Sequence, residues 1–139
     1  MSVMRVTGFS LLEVMISVLV LSVGILGMAM LQLQALKSNQ SALSSTEATQ
    51  YSNLIGDLMR ANRSAALAGQ YDIALGERAS GATAAVADLQ YWKLTLASLP
   101  QGDGAVVVSQ GRATITVQWQ GGRQAGEPVQ RSLIVRTEL

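Results

Sequence analysis

The chain has 139 residues, of which 49% are apolar and only 14% charged, with a net charge of +1. Soluble domains average about 25% charged residues, so this skew points to a membrane-anchored chain carrying a modest globular part. A balance this close to neutral supplies no basic field, and no nucleic-acid partner is expected. The absence of Cys and His removes thiol chemistry, imidazole acid–base catalysis and the commonest zinc sites. No cofactor or metal is expected. The lack of Cys does not fix the compartment, because an extracytoplasmic chain with a sufficient core can do without disulfides.

Residues 1–8 carry one charged side chain, Arg5, and residues 14–36 carry none. At about 1.5 Å per residue that run exceeds the ~30 Å hydrocarbon layer. A secretory signal has an apolar core of about 7–15 residues ending at a small-residue cleavage site. This run is longer and passes into a continued helical pattern, so removal of the whole segment is not expected. Arg5 before the span, with no Lys or Arg until Lys37, gives a weak positive-inside bias. It favours a cytoplasmic amino terminus. Glu13 stands at the lip of the span, where an ionisable group is costly enough that a functional reading is the default.

At about 100° per residue, Ser10, Glu13, Ser17 and Gly24 fall in one narrow sector among Leu, Val, Ile and Met. Small and polar residues on one face favour helix–helix contact in a membrane. Small residues are also simply common in membrane helices, and that plainer reading stands beside the first. Gly24 and Gly27 weaken the helix by about 1 kcal/mol each relative to Ala.

Helical periodicity continues without Pro or Gly from residue 28 until Gly56. Leu33, Leu36, Leu43, Leu54, Leu58, Ala61 and Ala65 share one face, with Ser38, Ser41, Ser45, Arg60 and Arg63 off it. Gln40 and Glu47 interrupt the stripe. It is richest over residues 51–59, where a head is expected to pack, leaving residues 37–50 as an exposed stalk. The helix is expected to end near Ala68, with Gly69 as its stop.

Residues 70–83 read as a loop. Val86, Leu89, Trp92, Leu96 and Leu99 lie at helical spacing, predicting a second, shorter helix over 84–99 closed by Pro100. Residues 101–104 read as a turn, and Gly102-Asp103-Gly104 is turn chemistry, since no P-loop helix follows. Strands are predicted over 105–110, 112–120 and 129–137. The second alternates Ala113, Ile115, Val117 and Trp119 against Thr114, Thr116 and Gln118, the mark of a half-buried strand. Breaks at Gly111 and over 121–128 are short enough for an antiparallel meander. A sheet with one apolar face needs a cover, and the long helix supplies it.

Trp92 and Trp119 read as packing groups. Asp72, Glu77, Asp88 and Asp103 are scattered, and nothing resembles a calcium loop. Arg60, Arg63, Arg131 and Arg136 read as solvated charges. No catalytic set emerges. The chain reads as a substrate of processing enzymes and not as an enzyme.

Gly8-Phe9-Ser10-Leu11-Leu12-Glu13 resembles the prepilin signal of the type IV pilin superfamily. The likeness to minor pilins of the PilV type extends to Leu19-Val20-Leu21-Ser22-Val23-Gly24-Ile25-Leu26-Gly27. It also takes in Asp57-Leu58-Met59-Arg60-Ala61-Asn62-Arg63 and Ala65-Ala66-Leu67-Ala68-Gly69. The resemblance implies an α+β pilin fold, with a long amino-terminal helix on a small antiparallel sheet and one additional short helix. Residues 1–8 would be the leader and 9–36 the transmembrane and assembly half of the helix. Residues 37–68 would be its periplasmic half and 69–139 the globular head. A prepilin peptidase would cut between Gly8 and Phe9, where glycine lets the backbone approach the protease, and would N-methylate Phe9. Glu13 would pair in a filament with the terminal amine of a neighbour's Phe9.

The implied partners are that peptidase and methyltransferase, other minor pilins, the major pilin, the inner-membrane assembly platform and membrane lipid. The implied role is to start or cap fibre assembly, supporting adhesion and twitching motility. The chain would sit in the inner membrane with its head periplasmic, then in the pilus at the cell surface. Two departures favour a minor subunit over the bulk fibre protein. There is no Cys for a disulfide-closed loop, and no proline before Pro100. The rivals are a pseudopilin of type II secretion, which shares leader and span, and a single-pass anchored binding domain that never polymerises.

Overall fold

A computed structural model describes residue 8 and residues 10–124 and 127–139. Residues 1–7, with Arg5, and Phe9, the expected site of cleavage and methylation, lie outside the described residues. The chain divides into two compact units, Met1–Asn39 and Gln40–Leu139.

In the first unit the described chain is almost entirely helix, the opening part of α1 (Leu11–Ala61). Every residue from 11 to 39 is exposed, the large apolar ones included. The helix is long and apolar enough to cross a membrane.

The second unit holds the rest of α1, then α2 (Arg63–Leu67), α3 (Ala84–Leu96), β1 (Asp103–Ser109), β2 (Arg112–Gln124) and β3 (Glu127–Glu138). The strands form one antiparallel sheet in the order β1-β2-β3. This is the pilin-like α+β arrangement that the pattern predicts. Ala113, Ile115, Val117 and Trp119 of β2 are buried in one core with Ile55 and Met59 of α1 and Leu89, Trp92 and Leu96 of α3.

The long helix is interrupted where an unbroken run is expected. Asn62 leaves helical geometry at φ −116° and ψ 51°, and α2 follows as a short separate segment. Asn competes for backbone hydrogen bonds and so tolerates such a break. The stop itself falls where glycine predicts it. Gly69 adopts φ +74°, with Gly69 N donating to Ala66 O and Gln70 N to Ala65 O, each at 3.0 Å. These two bonds are a Schellman cap.

The buried line of α1 is also turned away from the leucine-weighted stripe. It runs Ala48, Ser52, Ile55, Gly56 and Met59, while Leu43 is 60% exposed and Leu54 and Leu58 are half-buried. The sheet packs against this face. A side-chain carbon placed on Gly56 would lie 3.8 Å from Ile115 Cδ1. Ser52 is tolerated because its hydroxyl donates to Ala48 O at 2.8 Å. Residues 37–50 are more exposed than residues 51–59, although Ala48 is buried and Ser41, Ser44 and Ser45 are half-buried.

Helix α3 ends at Leu96, three residues early, because residues 97–99 tighten into turns with amides donating three residues back. Strand β1 starts at Asp103, inside the expected turn, and β2 runs on through Gly121 and Gly122. The glycines do not break the strand. They form a bulge, with Gln120 opposite Gln130 and Arg123 opposite Pro128, so β2 carries one extra residue.

The loop over 70–83 is tied down by the carboxylates that look scattered in sequence. Ile73 exchanges two backbone hydrogen bonds with Val106, at 3.0 and 2.9 Å. Asp72 Oδ1 accepts from Val108 N at 2.7 Å and Asp103 Oδ2 from Gly76 N at 2.5 Å. Lys93 Nζ bridges Asp103 Oδ1 at 2.6 Å and Ala74 O at 3.2 Å. Partial burial pushes the Asp103 carboxyl up, but the Lys93 ammonium and the Gly76 and Gly104 amides outweigh it and hold it below its ordinary value. The buried Tyr71 hydroxyl donates to Asp88, and burial together with that carboxylate pushes the phenol up to about 12.

Candidate functional site

The site is the start of α1. Ser10 is its cap: Ser10 Oγ accepts from Leu12 N at 3.3 Å, and Ser10 O accepts from Val14 N at 3.2 Å. Glu13 lies in the first turn, three residues after the cap. A carboxylate there faces unpaired helix amides and the positive end of the helix dipole. Ser-x-x-Glu is the sequence signature of a capping box. That signal sits in plain view at Ser10 and Glu13; of its two bonds the structure shows the one accepted by Ser10 Oγ.

The remaining members of the expected contact face are exposed. Ser17 Oγ donates to Glu13 O at 2.8 Å, as Ser22 Oγ does to Val18 O at 2.7 Å. The Ser17 donor is thus used within the helix, and what it presents outward is low relief. A shallow groove follows, lined by Glu13, Val14, Ser17, Val18 and Leu21. At Gly24 and Gly27 an added side-chain carbon would meet nothing within 4 Å, and the same holds at Gly8. No packing inside this unit therefore requires glycine at these positions. Ser10, Glu13, Ser17 and Gly24 are all exposed along one helix, with no tertiary partner among the described residues.

A family model described as the prokaryotic N-terminal methylation motif matches residues 3–29. This motif marks the type IV pilin and pseudopilin superfamily. The match takes in Gly8, Glu13 and most of the apolar run, and it implies processing by a prepilin peptidase. Proteins of this pilin-like kind are structural subunits and not enzymes. With the motif, the exposed apolar helix points to anchoring in the inner membrane before assembly. Neither a curated protein nor a solved structure matches the chain.

Proposed function

We propose that this pilin-like chain is a minor type IV pilin of the PilV type, one member of a complex that starts or caps fibre assembly. The observation that carries the proposal is the exposed apolar surface over residues 11–39, broken by one carboxylate in its first turn. A surface of that kind has two environments in which it is stable, lipid and a bundle of like helices. In this reading the peptidase cuts after Gly8 and methylates Phe9. Glu13 then pairs with the terminal amine of a neighbour's Phe9, offsetting two charges that are costly in an apolar core. Ser10, Ser17 and Gly24 provide the low-relief face on which a neighbouring helix lies. The lack of Cys and of an early Pro supports a minor subunit over the bulk fibre protein. Adhesion and twitching motility follow from a place in the fibre.

A pseudopilin of type II secretion is the second reading, because the motif over residues 3–29 fits it equally. Neighbouring genes for secretion or for other minor pilins separate the two. Amino-terminal sequencing of protein extracted from membranes tests the first step. Methylated Phe9 is expected at the first position, whereas Met1 or Ser2 there would favour an anchored domain that never polymerises. Replacing Gly8 with a bulkier residue should leave the leader attached. Glu13→Val should insert into the membrane yet be depleted from sheared fibres, and equal recovery with the parent chain would remove the pairing role.

A further inference from the structure

The two edges of the sheet are finished differently. The outer edge of β1 is closed by the chain's own loop, through the paired bonds of Ile73 with Val106 and the Asp72 carboxylate on Val108 N. At β3 the alternation of an antiparallel ladder decides which groups face out. Leu139 N donates to Gly111 O at 3.0 Å on the β2 side, so the odd-numbered residues of β3 turn their amides to β2. Gln130, Ser132, Ile134, Arg136 and Glu138 then turn their N–H and C=O outward. Among the described residues none of these backbone groups has a partner except the Glu138 carbonyl, which accepts from Thr137 Oγ1 at 3.4 Å. Pro128 shares their parity, so its missing N–H falls on the open edge, where it breaks no ladder bond.

An open edge of this length is ordinarily blunted or covered. Here it carries Ile134, which is 55% exposed, and two residues on the exposed Arg136, which joins no salt bridge among the described residues. Both side chains lie on the sheet face away from the core, because the odd-numbered Leu133 and Val135 pack against it.

We propose that the β3 edge accepts an extended segment of a different protein chain. That segment carries an apolar side chain opposite Ile134 and an acidic one two residues away opposite Arg136. The backbone ladder supplies affinity and the alternate side chains supply selection. A second copy of this chain is the wrong occupant. Its β1 edge is already sealed by residues 72–76. Its β3 edge, paired antiparallel, reverses residues 40–61 of one copy against the other, so both cannot be anchored in one membrane. Paired parallel and in register, it sets Arg131 and Arg136 against their own counterparts, with no acidic side chain opposite either. The exclusion of a copy rests on inner-membrane anchoring; the open edge itself does not.

Amide hydrogen exchange on the full chain in detergent micelles tests this, independently of leader processing. The probe is a capped peptide of about seven residues, alternating Thr and Val, with the last Val replaced by Asp. At saturation it should slow exchange at Ser132, Ile134 and Arg136 by about tenfold or more, leaving Leu133 and Val135 unchanged. The same peptide with Lys for Asp should slow them less than about threefold. Arg136→Glu should invert the preference, and Arg136→Gln should abolish it. Equal protection by both peptides, protection by neither, or an Asp preference that persists in both variants overturns the proposal. So does protection that grows with protein concentration alone, since a second copy would then hold the edge.

Discussion

The two halves of α1 share one secondary structure and follow opposite burial rules. Over residues 11–39 the helix exposes Leu19, Ile25, Leu31 and every other large apolar side chain. Over residues 40–61 it buries Ala48, Ser52 and Gly56 along with Ile55 and Met59, and leaves Leu43 out. Where the partner belongs to the same chain, small and large residues alike are buried at the seam with the sheet. Where no partner is supplied, the helix does no more than cap its start and fold its hydroxyls back onto its own carbonyls. That is the state of a surface built for lipid or for other chains.

The largest test of this contrast uses one residue type in both halves. Ile55→Ala opens a cavity in a closed core and should destabilise the head by about 2–5 kcal/mol. Ile25→Ala, followed by the same denaturant titration of the full chain in detergent, should leave the head's transition where it was. Equal shifts would mean that the amino-terminal half is folded into the core after all.

A pH titration separates the halves by chemistry. Tyr71 is buried in the head and its folded pKa lies near 12 against an ordinary 10.0. The phenol's contribution is therefore complete below pH 10 and is lost as pH rises through about 12. The loss approaches roughly 3 kcal/mol, and Tyr71→Phe should flatten it. Asp103 works in the other direction. Its folded pKa is depressed, so its contribution is present above the ordinary carboxylate range and falls away as pH drops through the lowered value. Helical circular dichroism from the apolar half should persist at both extremes. Its loss in step with the head's tertiary signal would join the two.

Much of this architecture is legible in the residues before any coordinates. The span announces itself through charge-free length, β2 through strict alternation from Ala113 to Trp119, and the helix stop through Gly69. What hides is whatever depends on a partner distant in sequence. Ser52 and Gly56 lie off the leucine stripe and are nevertheless buried, because the head packs on a face turned away from it. Gly121 and Gly122 read as a break and become a bulge because Gln130 and Pro128 pair on either side of them. Asp72, Asp88 and Asp103 look idle until the loop folds over β1. At the site itself, Gly8 and Glu13 stand out by motif. The Ser10 cap is equally visible and is missed when attention rests on the charge alone.

Glycine provides a smaller contrast between the halves. A side-chain carbon on Gly104 would lie 2.4 Å from Trp92 Cη2 and 2.7 Å from Leu96 Cδ1, whereas one on Gly24 would meet nothing within 4 Å. Gly104→Ala should therefore overpack the head and cost about 1–3 kcal/mol. Gly24→Ala should leave the head unchanged and strengthen its own helix by about 1 kcal/mol. Thermal unfolding followed by tryptophan fluorescence reads the first effect and helical circular dichroism the second. A head destabilised by Gly24→Ala would break the contrast.

The smallest effect sharpens the picture within the head, where two buried tryptophans differ in one bond. Trp92 Nε1 donates to Tyr51 O on α1 at 2.9 Å, while Trp119 Nε1 is buried with no partner among the described residues. Replacing either by Phe removes similar apolar area, so the difference between the two variants isolates the indole N–H. Trp92→Phe loses a hydrogen bond worth about 1 kcal/mol in addition to its packing. Trp119→Phe removes a donor whose unpaired burial already costs about 1–3 kcal/mol, which offsets part of the lost area. Trp119→Phe should thus be the milder change in matched urea titrations. If instead it is the harsher one, a buried water holds Trp119 Nε1, and the base of the sheet is polar where its side chains read as dry.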